Sequence, residues 1–256
     1  LLGFRGVNGL GEVYKAGGKV VKNVTGFDIP KLMCGAFGTL SVLTELTFRV
    51  FPKDEFSATL AIRDIAPEEG FAALRRAWAS VLEPTGLAYV PAAAKFAGLE
   101  GGAALFRVEG AALPLREKMA ALRALLKDHK PVEIAQGDAL FARIGAGAIF
   151  TGTDLDVWRI ALPPSEAARV AAQIDAPLWI GDLAGGLLWV GVPDSDRALH
   201  AVARGAGGHA TLLRADAATR AFIPVFPPGD AARESVSRTV KAAFDPLNLF
   251  NPGRRL

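Results

Sequence analysis

One order of apolar runs occurs twice in the middle of the chain, and that repetition leaves few folds open. Residues 56–62 alternate as a half-buried strand, residues 68–80 carry helical spacing opened by Pro67, and residues 87–90 read as a second strand. Residues 103–108 follow as a strand, Leu115, Met119, Leu122 and Leu126 share one helical face, and residues 132–135 return as a strand. The same β-α-β-β-α-β order recurs downstream, with strands at 157–162, 177–180, 187–190 and 209–212. Its helices are opened by Pro164 and Ser165 and cover residues 194–204. Two ferredoxin-like α+β units are therefore expected. Such a scaffold hosts many functions, so the chemistry has to be sought in particular residues.

Pro52-Lys53-Asp54 marks a boundary before the repeat, and the chain from Gly207 onward reads as a tail. The expected division is residues 1–52, 53–206 and 207–256. In the tail, residues 231–244 form an amphipathic helix with Val236, Val240 and Phe244 on one face. The turn-rich Asp245-Pro246-Leu247-Asn248 and Asn251-Pro252-Gly253 follow it.

Several function classes drop out on composition. A spanning helix needs about 20 apolar residues in succession, and the greasiest stretch, residues 176–192, is interrupted by Asp182 and by Gly185-Gly186. No export signal stands at the start of the sequence, so a cytoplasmic location is the default expectation. A lone cysteine, Cys34, provides neither an intrachain disulfide nor a Cys-rich cluster. Net charge is only +3, with Lys and Arg scattered among acids, which argues against nucleic acid and suits a small anionic substrate.

Two segments near the start have the character of a ligand site. Lys22-Asn23-Val24-Thr25-Gly26-Phe27-Asp28 sits at a strand-to-helix turn, ahead of a short helix at residues 29–33. Gly35-Ala36-Phe37-Gly38-Thr39-Leu40-Ser41-Val42-Leu43-Thr44-Glu45 follows, and glycines at 35 and 38 let backbone approach a flat or anionic ligand before a strand begins. On spacing alone, a plain tight turn explains those glycines as well.

Taken with the C-terminal Asp245-Pro246 and Phe250-Asn251-Pro252-Gly253-Arg254, these segments resemble the vanillyl-alcohol oxidase type FAD-linked oxidases, in the order found there. Residues 158–163, 185–189 and 206–211 extend the resemblance to the FAD-binding subunits of glycolate oxidases. The resemblance implies the C-terminal part of a PCMH-type FAD-binding domain, an inserted ferredoxin-like cap, and a C-terminal helix returning to the FAD domain. It implies FAD as cofactor, contacted by Lys22, Asn23, Gly26, Gly35, Gly38, Thr39, Val42, Asn251 and Gly253. Chemically, glycines give backbone access, an Asn amide both donates to and accepts from a flavin edge, and a Lys beside the ring stabilises a reduced flavin anion. Two departures stand out: Ala36 lacks a hydroxyl, and Ser41 adds a side chain where glycine is usual. The glycine-rich pyrophosphate loop that opens such domains is not found in this sequence.

Flavin oxidation of a 2-hydroxy acid needs a group to take the hydroxyl proton and a cation to hold the carboxylate. His209, in Gly207-Gly208-His209-Ala210-Thr211, is the candidate base, read against a structural histidine bonded to backbone. His129 and His200 read as surface residues, and Arg159 and Arg214 are candidate carboxylate clamps. Trp158, Trp179 and Trp189 fall in strand signals and read as packing residues, and three scattered histidines give no metal-ligand spacing. The implied activity is oxidation of glycolate or D-lactate to the 2-oxo acid, in a complex with a catalytic flavoprotein subunit and an iron–sulfur subunit. Association with the inner face of the membrane would then be peripheral, through the complex. Two alternatives stay open: a non-catalytic electron-transfer or structural FAD subunit, and a small-acid-binding module without redox activity.

Overall fold

The computed structural model describes residues 1–20, 26–95, 99, 101–196, 198–227 and 229–254. Two units divide the chain, Leu1–Pro52 with Pro228–Leu256, and Lys53–Pro227. The leading segment of the first unit ends at Pro52. The later boundary differs: residues 207–227, expected in the tail, belong to the second unit. The reason is topological, because residues 209–214 form an edge strand of that unit's sheet.

The first unit has strands β1 (Gly3–Val7) and β2 (Val13–Gly17), helix α1 (Ile29–Met33) and strand β3 (Val42–Thr47). They form an antiparallel sheet in the order β2-β1-β3. Asp28 caps α1 by accepting from Lys31 N at 3.2 Å, and Pro30 occupies the first turn, where a missing N–H costs nothing. The C-terminal helix (Ala231–Phe244) is capped in the same way by Asp230, which accepts from Arg233 N. Phe4, Met33, Ala36 and Leu40 make a small core on which Tyr14, Val240 and Phe244 pack. Val236, expected on that helical face, is exposed instead.

The second unit runs β4 (Phe56–Arg63), α2 (Pro67–Trp78), β5 (Gly86–Val90), β6 (Ala103–Gly110), α3 (Ala112–Leu125), β7 (Val132–Glu133) and α4 (Gly137–Gly145). It continues with β8 (Asp156–Ala161), α5 (Ala167–Ile174), β9 (Leu178–Asp182), β10 (Leu187–Val192), α6 (Ala198–Gly205), β11 (His209–Arg214) and α7 (Ala217–Phe222). All eight strands join one sheet in the order β11-β8-β10-β9-β5-β6-β4-β7. Each half therefore has the strand order 4-1-3-2 of a βαββαβ unit, and the halves meet edge to edge through their second strands at Tyr89↔Gly181.

The two faces of this sheet are covered differently. One buries Leu60, Phe106, Trp158, Ile160, Leu188, Ala210 and Leu212 beneath α2, α3, α5 and α6. On the other, helix α4 lays Leu140 and Ile144 over Ala61, Ala88, Leu105 and Ile180. Alpha-4 lies outside both repeats and was not foreseen. Among the described residues no helix is long and apolar enough to cross a membrane.

Aromatic rings close the seam between the halves. Tyr89 and Trp179 stack at 5.5 Å, and Phe71 lies 5.2 Å from Tyr89. Gly181 has to be glycine, because a Cβ there would stand 2.4 Å from the Phe71 ring. Tyr89 is 2% exposed and donates its hydroxyl to Ile65 O at 2.8 Å. Burial, and after it the charge of Glu68, push its pKa up to about 12. An unfolded tyrosine ionises near pH 10, so the native state keeps a proton that the unfolded chain releases. This contribution is complete below about pH 10 and is lost as pH rises towards the folded value. Denaturant titrations should therefore show stability falling through that window. Tyr89→Phe should remove this part of the fall while costing about 1 kcal/mol at neutral pH through the lost hydrogen bond; an unaltered alkaline profile would contradict the assignment.

Candidate functional site

The loop between α1 and β3 is shaped by alternation between core and surface. Ala36 and Leu40 turn inward to the first unit's core, while Gly35, Phe37, Gly38 and Val42 are exposed. Positive φ angles at Gly35 (78°), Phe37 (54°) and Gly38 (68°) fold the backbone outward between these anchors. Thr39 is buried and donates its hydroxyl to Ala36 O at 2.6 Å, which closes the turn from within. Both departures noted in the sequence have a local explanation. The Ala36 side chain is core, and the Ser41 hydroxyl donates to Val7 O at 2.8 Å, tying the start of β3 to β1.

The tail fastens this loop. Asn251, itself at φ 42°, donates its side-chain N–H to Gly38 O at 3.0 Å and to Phe37 O at 3.3 Å. Lys241 Nζ donates to Thr39 O at 2.7 Å, to Phe250 O at 3.0 Å and to Asp245 Oδ2 at 2.5 Å. The ammonium thus uses its three protons on three separate segments. Asp245, 1% exposed, also accepts from Leu249 N and Phe250 N at 3.0 and 2.8 Å. Gly9 N completes the junction by donating to Phe244 O at 2.8 Å, and a Cβ on Gly9 would collide with Asp245. Desolvation opposes the Asp245 charge, but the Lys241 hydrogen bond and the two backbone N–H donors outweigh it and hold its pKa below the usual carboxylate range.

Of the residues named from the sequence, the fold brings Gly35, Gly38, Thr39 and Asn251 together. Val42 follows the loop on exposed β3, Gly253 lies in the turn after Asn251 with φ 75°, and Gly26 is exposed with φ 77°. Lys22 and Asn23 lie outside the described residues. Lys241 has only a weak signal in the sequence, the i, i+4 spacing to Asp245, which ordinarily reads as a surface pair.

His209, Arg159 and Arg214 belong to the second unit. His209 opens β11 opposite Ala161 and is exposed, and is thus not a buried structural histidine. Arg159 faces Thr211 on β11 and Trp189 on β10. Arg214 is fully engaged: its guanidinium donates to Phe150 O, Thr153 O and Oγ1, and Leu155 O at 2.9–3.3 Å, so it secures residues 150–155 and is not free to clamp a carboxylate. His200, expected at the surface, is 5% exposed, lies edge-on to Trp158 and holds Pro224 O at 2.8 Å through Nε2. It is buried because α6 packs on β11 with that side inward. Trp158 is core, as expected.

No protein-family model matches the chain. It is 31% identical over 255 residues, 99% of its length, to "Glycolate oxidase subunit GlcE" of Escherichia coli (strain K12), and spans 64% of that relative. A 52-residue stretch, 20% of the chain and 12% of the relative, is 40% identical to "D-lactate dehydrogenase" of Archaeoglobus fulgidus. Among solved structures, p-cresol methylhydroxylase with substrate bound aligns with a TM-score of 0.67 at 14% identity, over 99% of this chain and 64% of that one. The resemblance read from the motifs is thus borne out in sequence by the glycolate oxidase subunit, and the fold is shared with p-cresol methylhydroxylase.

The Lys241–Asp245 junction yields a direct test. Removing the ammonium leaves a buried carboxylate and two carbonyls without their donor, so Lys241→Met should destabilise the first unit by about 3 kcal/mol in denaturant unfolding. Since the folded Asp245 pKa is depressed, its contribution is present above about pH 4 and is lost as pH falls through the folded value. Amide exchange at Thr39 and Phe250 should speed up selectively in acid, and already at neutral pH in Lys241→Met. Unchanged exchange in the variant would show that the pair does not hold the loop.

Proposed function

We propose that this chain is the FAD-binding part of a glycolate oxidase type subunit, and that it takes part in oxidising glycolate or D-lactate to the 2-oxo acid. The observation carrying this reading is the loop at residues 35–42, which exposes the backbone of Gly35 and Gly38 beside Phe37 and Val42 and whose carbonyls are held by Lys241 and Asn251. That exposed surface suits the edge of a flat cofactor. A Cβ on Gly35 would meet nothing within 4 Å, so the approach is open, and Asn251 keeps its side-chain oxygen for a donor while its N–H groups hold the loop. Gly26, Val42 and Gly253, with Lys22 and Asn23, complete the proposed contact set. When bound, FAD supplies the acceptor for the two electrons removed from the substrate.

The chain's own part is to bind and orient. Preorganised backbone at residues 35–39 costs no reordering when the cofactor arrives, which is what the tail contributes to affinity. His209, exposed at the start of β11, is the proposed acceptor of the substrate hydroxyl proton. The second unit would serve as the cap and the C-terminal helix as the return to the FAD domain. Partners in this reading are a sister flavoprotein subunit and an iron–sulfur subunit that carries electrons away, in a cytoplasmic complex peripheral to the membrane. The chain spans 64% of the GlcE relative, so the test belongs on a polypeptide that also includes the unmatched third.

An anaerobic visible spectrum of that polypeptide should show a flavin band that bleaches with glycolate or D-lactate. A band that persists with both acids would assign this subunit to cofactor binding and electron transfer alone, and absence of a band after FAD addition would refute the reading. Gly38→Ala adds a second check. Its φ of 68° and the Asn251 nitrogen 2.8 Å from the new methyl both oppose a side chain. The strain of about 1 kcal/mol should weaken FAD retention roughly fivefold or more in equilibrium dialysis.

A further inference from the structure

The second unit's sheet carries one face on which polar side chains stand among apolar ones and which, among the described residues, no helix of that unit covers. Its position follows from the register. Trp158, Ile160, Leu188, Val190, Ala210 and Leu212 point to the helical side, so the alternate residues Arg159, Ala161, Trp189, His209 and Thr211 point to the other. On the β4–β6 half that side is filled by α4. On the β8–β11 half residues 150–155 intrude, where Phe150 and Leu155 pack over Gly191 and Arg214 holds their carbonyls. Beyond that wall, two rows cross the strands: Trp189–Arg159–Thr211, and next to it Leu187–Ala161–His209.

The first row has donors without acceptors. Trp189 Nε1 is shielded from solvent and has no hydrogen-bond partner. An indole N–H only donates, and leaving it buried and unpaired costs about 1–3 kcal/mol. Directly across on β8, about 5 Å away as cross-strand neighbours are, stands Arg159. No carboxylate among the described residues pairs with it. Thr211 extends the row with a hydroxyl. A neutral guest offers the indole an acceptor but leaves the guanidinium unpaired, and a cation is repelled. A compact anion with two oxygens meets both.

From this juxtaposition we infer that Trp189, Arg159 and Thr211 form a binding site for a small carboxylate. The indole N–H and the guanidinium hold the two carboxylate oxygens, and the Thr211 hydroxyl lies beside them. Arg159 is long and partly exposed, so its guanidinium can turn to meet the anion. His209 lies one row along on the same face, opposite Ala161. The choice of glycolate as ligand rests on the proposed function; the demand for a carboxylate rests on the sheet alone.

The test is a glycolate titration of ¹⁵N-labelled protein, read at the indole N–H resonances. There are four tryptophans, and Trp189→Phe identifies the one that matters. Its resonance should move and saturate with glycolate, stay fixed with ethylene glycol and chloride, and respond roughly tenfold more weakly in Arg159→Gln. The proposal is overturned if the wild-type resonance ignores glycolate at about 10 mM, if ethylene glycol or chloride moves it equally, or if Arg159→Gln titrates like the wild type. Should Arg159→Gln fail to fold, as the other three indoles would reveal, Thr211→Val takes its place with a smaller loss expected. The titration needs no flavin. Glycolate binding by a protein that never takes up FAD would sink the proposed function alone, and a flavoprotein whose Trp189 ignores glycolate would sink this site alone.

Discussion

The first unit depends on one ammonium group. Lys241 reaches from the C-terminal helix to Asp245, Phe250 O and Thr39 O, and so joins segments some 200 positions apart in the sequence. Because the pair is buried, its Coulombic attraction is offset by the cost of desolvation, and its value lies in geometry more than in raw stability. Every donor on Lys241 has a specified acceptor, and every acceptor on Asp245 has a specified donor. A loop held this way has one position, and a ligand pressed against its outer face meets a fixed surface.

This arrangement explains how the loop tolerates three residues at positive φ among four consecutive positions, 35–38. Positive φ at Phe37 is costly for a residue with a side chain. It persists because Ala36 and Leu40 are anchored in the core on either side while Asn251 gathers the carbonyls of Phe37 and Gly38. Strain of this sort is held by the surroundings and is found where a fold presents backbone to a partner.

How much was legible in advance follows from the kind of signal each feature leaves. Strands and helices of the second unit were readable because their period of two or near four persists over several residues with one face buried. The boundary near residue 207 misled because Gly207-Gly208 looks like a linker, whereas it is the tight entry to β11, where a Cβ on Gly208 would stand 2.1 Å from Ala161 O. Alpha-4 was missed because it belongs to neither repeat and only the finished sheet shows a second face to cover. His200 looked solvated among alanines, and its burial depends on Trp158 and Pro224, which no local window contains. The glycine loop was recognised by resemblance, but Lys241 needed the fold, since a lysine four residues before an aspartate is ordinarily a surface pair.

The seam between the halves of the large sheet treats the two repeats unequally. Tyr89 is fourth in β5 and Gly181 is fourth in β9, so equivalent positions of the two copies face each other where the strands meet. They sit where the two repeats of the strand order meet, and an exact repeat would place the same residue there twice. A second tyrosine at Gly181 would collide with Phe71. One ring and one absent side chain fill the seam, with Phe71 packed against the gap. Phe71 takes the space that a side chain at Gly181 would need, so equivalent positions of the two halves are filled unequally and the halves are not interchangeable at their seam.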